Sequence, residues 1–222
     1  MDRSPARVSS CGLLLLVLVV APVSAAQPRW TVGVHQLDPK DATARDYSRP
    51  GYGLSVDVSL PLTGAQGMVA LLAGIEGTSL MAKQKDLRDG LTGLRVEQHT
   101  DQFHGRLFVG GRLGPHGNGT LQPYGDLALA LVLYGISTTV VVPDDSDRQN
   151  DINQLLSSRT EAAFGWSAGT GVNLNLGSWG IDGGVRFLKQ YGVPQQLGDG
   201  AVTIHPAYLQ YRLAVSMPIR SR

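Results

Sequence analysis

The sequence predicts an all-β protein, folded as an eight-stranded antiparallel up-and-down transmembrane β-barrel. Three observations predict this fold class. Apolar residues alternate with small or polar ones in eight separate segments, which is the side-chain period of a β-strand. The connections between these segments are alternately long and short, as in membrane barrels. The less apolar face consists of Gly, Ala, Ser and Asn with isolated charges, a composition that fits a narrow lumen.

Residues 1–26 predict a secretory signal peptide that is removed on export. Two arginines precede the apolar run 13–20, and Pro22 ends that run before a stretch of small residues. The run is about half as long as the roughly 20 residues of a membrane-spanning helix. Cys11, the only cysteine, lies within the same segment, so we expect neither a lipid anchor nor a disulfide framework in the exported chain.

Residues 27–222 predict a single β-barrel domain with no net charge. Of the 19 basic and 18 acidic side chains, two arginines and one aspartate fall within the first 26 residues. A neutral chain lacks the basic surface that nucleic-acid binding needs, so we expect no nucleic-acid partner. The sequence has none of the spacings typical of zinc, nucleotide-phosphate or dinucleotide sites, and we expect no cofactor.

The eight predicted strands can be placed in order along the chain. They lie at 30–35, 52–60, 68–76, 103–113, 126–134, 164–176, 179–187 and 208–217. The clearest pair is the sixth and seventh, which a two-residue turn, Gly177-Ser178, separates. The long connections are 37–51, 78–101, 135–161 and 191–206, and the short ones are 62–66, 114–120 and 177–178. Because the two kinds alternate, all long connections are expected at one end of the barrel.

Eight charged residues share the less apolar face of the predicted strands. Four are acidic and four are basic: Asp57, Glu76, Asp126, Asp182, Arg106, Arg112, Arg186 and Arg212. On a lipid-facing surface each arginine near the midplane would cost roughly 2–4 kcal/mol. We therefore predict that these residues face the lumen and form an interior network of ion pairs.

A soluble barrel of the lipocalin kind is the alternative with the same strand period. Its apolar face would point inward, around a small apolar ligand, and its charged face would meet water. A water-exposed strand surface is usually rich in Lys, Glu and Thr, whereas the corresponding face here is rich in Gly. The composition favours the membrane barrel.

Aromatic residues near the strand ends predict the girdles with which membrane barrels meet the lipid interface. The residues concerned are Trp30, Trp166, Trp179, Tyr191 and Tyr211. A soluble barrel could bury the same side chains in its core.

Three segments resemble the small eight-stranded outer-membrane barrels of the OmpA, OmpX and opacity-protein type. The segment 121–130 contains a Pro-Tyr strand entry, 164–172 is a Gly-rich strand, and 181–188 places an arginine before an aromatic residue. The resemblance covers about residues 28–218. It implies an outer-membrane location, a monomer and contact with outer-membrane lipids. The chain departs from that family at its C-terminus, where Met217-Pro-Ile-Arg-Ser-Arg222 replaces a terminal aromatic residue.

The sequence favours a non-enzymatic envelope protein with no catalytic residues, and two other functions stay open. The expected role is envelope structure, adhesion or surface interaction, through four long loops that face an extracellular ligand or a host-cell partner. One alternative is a lipid-modifying enzyme, in which Asp101, His104 and Ser137 would meet near one rim. The other is the soluble barrel. The acidic run 144–147 lacks the pattern of a calcium loop and is expected to be a solvated loop.

Overall fold

The computed structural model describes residues 28–62, 68–88, 95–115, 119–142, 152–197 and 200–219. The predicted signal peptide at 1–26 and the acidic run at 144–147 lie outside these ranges. No helix among the described residues is long and apolar enough to cross a membrane.

The described chain consists almost entirely of β-strands. In order, the elements are β1 (Arg29–Pro39), α1 (Ala42–Tyr47), β2 (Gly51–Pro61), β3 (Val69–Arg88), β4 (Arg95–Leu113), β5 (Leu121–Val142), β6 (Ile152–Asn175), β7 (Gly180–Tyr191), β8 (Val193–Leu197), β9 (Gly200–Ile204) and β10 (Ala207–Pro218). Eight of the strands form a closed barrel in the order β1-β10-β7-β6-β5-β4-β3-β2, and β8 pairs with β9 in a separate hairpin.

All neighbouring strands of the barrel run antiparallel, and consecutive barrel strands are neighbours. The first and last strands close the barrel over their full length, from the pair Arg29 and Pro218 to the pair Pro39 and Tyr208. Closure leaves no unpaired sheet edge, which is a requirement for a β-structure in lipid. The prediction of an all-β, eight-stranded, up-and-down barrel is confirmed.

Two of the predicted long loops are mostly strand, which corrects the assignment of 78–101 and 135–161. The pairing of β3 with β4 continues out to Arg88 and Arg95, and that of β5 with β6 continues out to Val142 and Ile152. Most of these residues are polar, which hid the strands, because a hairpin beyond the apolar layer needs no apolar face. The apolar residues Ile136 and Val140-Val141-Val142 were the one sequence feature that indicated an extended hairpin. We call these extensions the long hairpins, and their end of the barrel the long-hairpin end.

The other two long connections carry small elements at the same end. The helix α1 follows β1, and Asp41 caps it by accepting a hydrogen bond from the Ala44 amide (2.7 Å). The β8–β9 hairpin lies between β7 and β10. At the opposite end, which we call the short-turn end, the connections are brief, and Gly177 supplies the positive φ of the β6–β7 turn (91°).

The two faces of the barrel have opposite polarity to those of a soluble protein. Large apolar side chains point outward, and Leu54 and Leu127 are 66% and 61% exposed. Charged side chains point inward, and Asp182 is fully buried. Folded soluble proteins rarely bury charges while exposing a continuous apolar belt. This arrangement contradicts the soluble-barrel alternative.

The lumen is filled in three layers. Polar side chains, among them Gln122, Asn173 and Ser216, occupy the short-turn end. The eight charged residues predicted from the sequence occupy the middle. An apolar cluster closes the long-hairpin end, where Leu37 and Tyr208 are buried together with Ala44 of α1. Side chains therefore occupy the interior along its whole length, as expected for eight strands.

Candidate functional site

The eight predicted charged residues are all buried in the lumen, and contacts connect every one of them to the next. In order of contact they are Arg106, Glu76, Arg186, Asp126, Arg112, Asp182, Arg212 and Asp57. The sign of the charge alternates at every step. We call this set the charge chain.

Glu76 is the best-bonded member of the charge chain. Its two carboxylate oxygens accept hydrogen bonds from Arg106 (2.8 Å) and Arg186 (2.9 Å). The Gln210 side-chain amide donates a third (3.2 Å). Strands β3, β4, β7 and β10 contribute these four groups, so Glu76 connects walls on opposite sides of the barrel.

Arg186 connects Glu76 to the next carboxylate, Asp126, with a two-pronged contact. Its Nε and one terminal nitrogen donate to the two oxygens of Asp126, at 3.2 and 2.8 Å. A planar guanidinium matches a carboxylate in this way, and such bidentate pairs are the strongest side-chain ion pairs. Arg186 is therefore held by two carboxylates at once.

The second half of the charge chain is looser. Arg112 lies 3.6 Å from both Asp126 and Asp182, beyond ordinary hydrogen-bond length. Arg212 contacts Asp57 at 2.6 Å and Asp182 at 3.9 Å. The Tyr124 hydroxyl donates to Asp182 at 2.8 Å and satisfies one of its oxygens.

Two aromatic rings lie against the buried cations. The guanidinium carbons of Arg106 and Arg186 lie 4.7 and 5.3 Å from the ring centre of Phe108, and that of Arg112 lies 3.8 Å from the ring centre of Tyr124. Cations are attracted to aromatic faces at these distances. Sequence reasoning missed both rings, although strand alternation places each of them on the same face as its neighbouring charges.

Solved structures of several outer-membrane proteins resemble this barrel. Neisserial surface protein A is 10% identical, with a TM-score of 0.52 over 86% of this chain and 97% of that one. The chain has the fold of a small outer-membrane β-barrel. A major outer membrane protein from Thermus thermophilus matches with a TM-score of 0.49 at 11% identity, over 86% of this chain and 99% of that chain. The attachment invasion locus protein Ail of Yersinia pestis, in complex with the heparin analogue sucrose octasulfate, matches with 0.48 at 12%, over 88% and 99%.

At these identities the likeness to solved structures concerns the fold alone. No family model matches the sequence, and no curated protein matches it. The function must therefore be argued from the residues of this outer-membrane barrel fold.

The structure separates the three residues considered for lipid modification. His104 is buried inside the lumen, where its Nε2 accepts a hydrogen bond from the Gln190 amide (2.5 Å). Asp101 and Ser137 are register partners on the outer face of β4 and β5. The barrel wall thus lies between the histidine and the other two side chains. The other lumen histidine, His35, is hydrogen-bonded to Thr78 at 2.7 Å.

The five predicted interface aromatics lie on the outer side of the barrel. Trp30 and Trp179 are exposed at the short-turn end. Trp166 and Tyr191 pair near the long-hairpin end, where the indole nitrogen donates to the tyrosine hydroxyl (3.3 Å). Tyr211 is also exposed and lies further from the strand ends.

A polar clasp joins α1 to the rim at the long-hairpin end. Lys189 lies 3.2 Å from the Asp41 carboxylate and donates to the carbonyl of His205 at 2.5 Å. Burial raises the pKa of Asp41, but hydrogen bonds from the Ala44 amide and from Lys189 outweigh this effect and hold that pKa below its usual value. The hydrogen bond to Asp38 raises the pKa of the exposed Lys40.

Within the described ranges, no group of three or more His, Cys, Asp or Glu side chains is arranged to hold a metal ion. The carboxylates of the charge chain contact arginines instead, and these occupy the positions that a cation would need.

Proposed function

We propose that this chain is an integral outer-membrane β-barrel protein without catalytic activity. In this proposal residues 1–26 are a cleaved signal peptide, and residues 27–222 insert as a monomer in contact with outer-membrane lipids. The observation that carries the proposal is the polarity of the barrel, with an apolar belt outside and the charge chain inside. Only a lipid environment makes this distribution favourable.

The strand lengths support a membrane-spanning barrel. The four shorter barrel strands have 11 or 12 residues, close to the roughly 9–11 residues that cross a bilayer at a tilt. On β5 the outward row is apolar up to Leu133 and continues with Gly135 and Ser137. The outer surface therefore changes from apolar to polar where the long hairpins begin.

The long hairpins form the surface through which the protein acts in this proposal. β3 to β6 have 19 to 24 residues, about ten more than a bilayer needs, so they extend roughly 30 Å further along the strand direction. The role is adhesion or surface interaction with an extracellular or host-cell partner. The closed lumen supports a surface role, because side chains fill the space that transport would need.

Cell fractionation tests the location. The full chain, expressed in a Gram-negative host, is expected in the outer-membrane fraction, starting near residue 27, and its gel mobility should change on heating. Recovery in the soluble periplasmic fraction would contradict the proposed location.

Trimming the hairpins tests the proposed role. Replacing residues 83–100 and 139–157 with tight turns should abolish adhesion of expressing cells to immobilised heparin and matrix proteins, without affecting barrel assembly. Replacing the β8–β9 hairpin at 193–204 is the matched control, since it shortens the same end of the barrel. Adhesion that survives removal of both long hairpins would refute the role.

The lipid-modifying alternative has no geometric support. Its three candidate residues lie on opposite sides of the barrel wall, and His104 is engaged with Gln190 and the ring of Tyr208. We therefore propose no catalytic residues. If His104→Ala altered the acyl composition of the host's lipids, this part of the proposal would be wrong.

A further inference from the structure

We propose that the short-turn mouth of the lumen is a binding site for a small inorganic anion of the size of chloride. The site is a recess with a volume of about 30 Å³ between Arg29 and Arg112. A single water needs roughly 10–15 Å³ by this measure. The recess is therefore large enough for a monatomic anion and too small for an organic ligand or for a side chain of another protein.

Arg112 lines this recess and has donors without a close acceptor. The residue is only 6% exposed, and both its Nε and one terminal nitrogen lack a hydrogen-bonded acceptor. Its two ion pairs within the charge chain are long, at 3.6 Å each. A buried guanidinium whose N–H groups have no protein acceptor within hydrogen-bond distance is stabilised by a further acceptor, so this position favours an anion.

Arg29 forms the opposite wall and has no carboxylate among its hydrogen-bond partners. It donates to the amide oxygens of Gln122 (3.3 Å), Asn173 (3.4 Å) and Asn175 (3.0 Å), all of which are neutral. The charge chain balances four arginines with four carboxylates, so Arg29 adds a fifth cation to the described lumen without a fifth anion. One monovalent anion restores neutrality.

The surrounding groups suit an anion as well. The hydroxyls of Thr31, Ser59 and Ser216 line the recess and are able to donate. The short connections at this end, 62–68, 114–120 and 176–179, contain no aspartate or glutamate in the sequence. The mouth is therefore electropositive and open to an anion that arrives from the solvent on the short-turn side.

Halide binding to the refolded full-length barrel tests the proposal. In sodium bromide, crystals are expected to show an anomalous scattering peak between Arg29 and Arg112. In solution, sodium chloride should raise the thermal unfolding midpoint in a saturable way, whereas sodium gluconate of the same ionic strength should not. Arg29→Gln should abolish the chloride dependence, and Arg29→Lys should retain part of it.

The control is Arg49→Gln, which removes the same charge from an exposed position at the opposite end and should keep the full chloride response. Equal midpoints in chloride and gluconate, or a bromide map with no peak at this mouth, would overturn the proposal. So would a chloride response that Arg29→Gln leaves intact. None of these results bears on the adhesion role, which concerns the other end of the barrel.

Discussion

At the scale of single residues, Glu76 contributes most to holding the lumen together. Two guanidiniums and one amide converge on its carboxylate from three other strands. A buried ion pair adds little compared with an apolar pair, but removing one partner leaves an uncompensated charge and costs about 3–5 kcal/mol. The contribution of Glu76 to the free energy of unfolding is therefore measured by replacing Glu76 alone and leaving its arginine partners in place.

We predict that Glu76→Gln lowers the free energy of unfolding by about 3–5 kcal/mol, because Arg106 and Arg186 lose their shared charge partner. Urea unfolding of the barrel in lipid vesicles, followed by tryptophan fluorescence, measures the change. Glu161→Gln is the control, since Glu161 is only half-buried and its partner Arg159 is exposed, so this substitution should cost at most about 1 kcal/mol. A loss of about 1 kcal/mol or less for Glu76→Gln would contradict the predicted contribution of the charge chain.

The lowered pKa of Asp41 predicts that the stability of the clasp between α1 and the barrel rim depends on pH. Its pKa is lower in the folded protein than in the unfolded chain, so the carboxylate stabilises the clasp above the unfolded pKa, and this contribution disappears as the pH falls through the folded pKa. The protection factors of the α1 amides in hydrogen exchange, which are corrected for the intrinsic exchange rate at each pH, should therefore fall as the pH falls below about 4. Asp41→Asn keeps a capping side chain but should remove the pH dependence. An unchanged pH profile in this variant would disprove the role of Asp41.

The sequence predicted which charged residues face the lumen, but not which ion pairs they form there. The side-chain period places Asp57 or Arg212 on the inner face. Which carboxylate each arginine meets depends on the stagger between strands, and Arg186 reaches Glu76 although the two are far apart along the chain. The neutral partners Tyr124 and Gln210 carry no charge signal and were found only in the structure.

At the scale of elements, the strands of the apolar belt were predictable and the long hairpins were not. Within the belt one face must be apolar, so alternation is enforced along β5 from Leu121 to Leu133. Beyond the belt neither face needs to be apolar, and the residues that extend β3 to Arg88 or β6 back to Ile152 have the composition of loops. These residues form strands because they pair with a neighbouring strand, and the sequence of one strand alone does not indicate that pairing.

We predict that Leu127→Arg destabilises the barrel in vesicles by about 2–4 kcal/mol, because Leu127 lies midway along the apolar outer row of β5. Ser137→Arg lies on the same row in the long hairpin and should change stability by less than about 0.5 kcal/mol. Urea titration of both variants compares them directly. Similar small effects would indicate that the belt meets water and would contradict the membrane assignment.

At the scale of the whole molecule, one physical argument accounts for the fold, the packing and the proposed location. A closed sheet satisfies its own backbone, the interior neutralises its charges internally, and the outer surface is apolar only over the height of the membrane. The two ends then differ, with short turns and an electropositive mouth on one side and the long hairpins on the other.

The central claim is that the odd-numbered outer row of β5 faces lipid and the even-numbered row faces the lumen. The chain without residues 1–26 has no cysteine, so single cysteines at 127–132 can be spin-labelled and reconstituted in vesicles. Labels at 127, 129 and 131 should collide with lipid-dissolved oxygen and be shielded from a water-soluble nickel complex, whereas those at 128, 130 and 132 should be shielded from both. Odd-numbered labels that are open to the nickel complex would contradict the account.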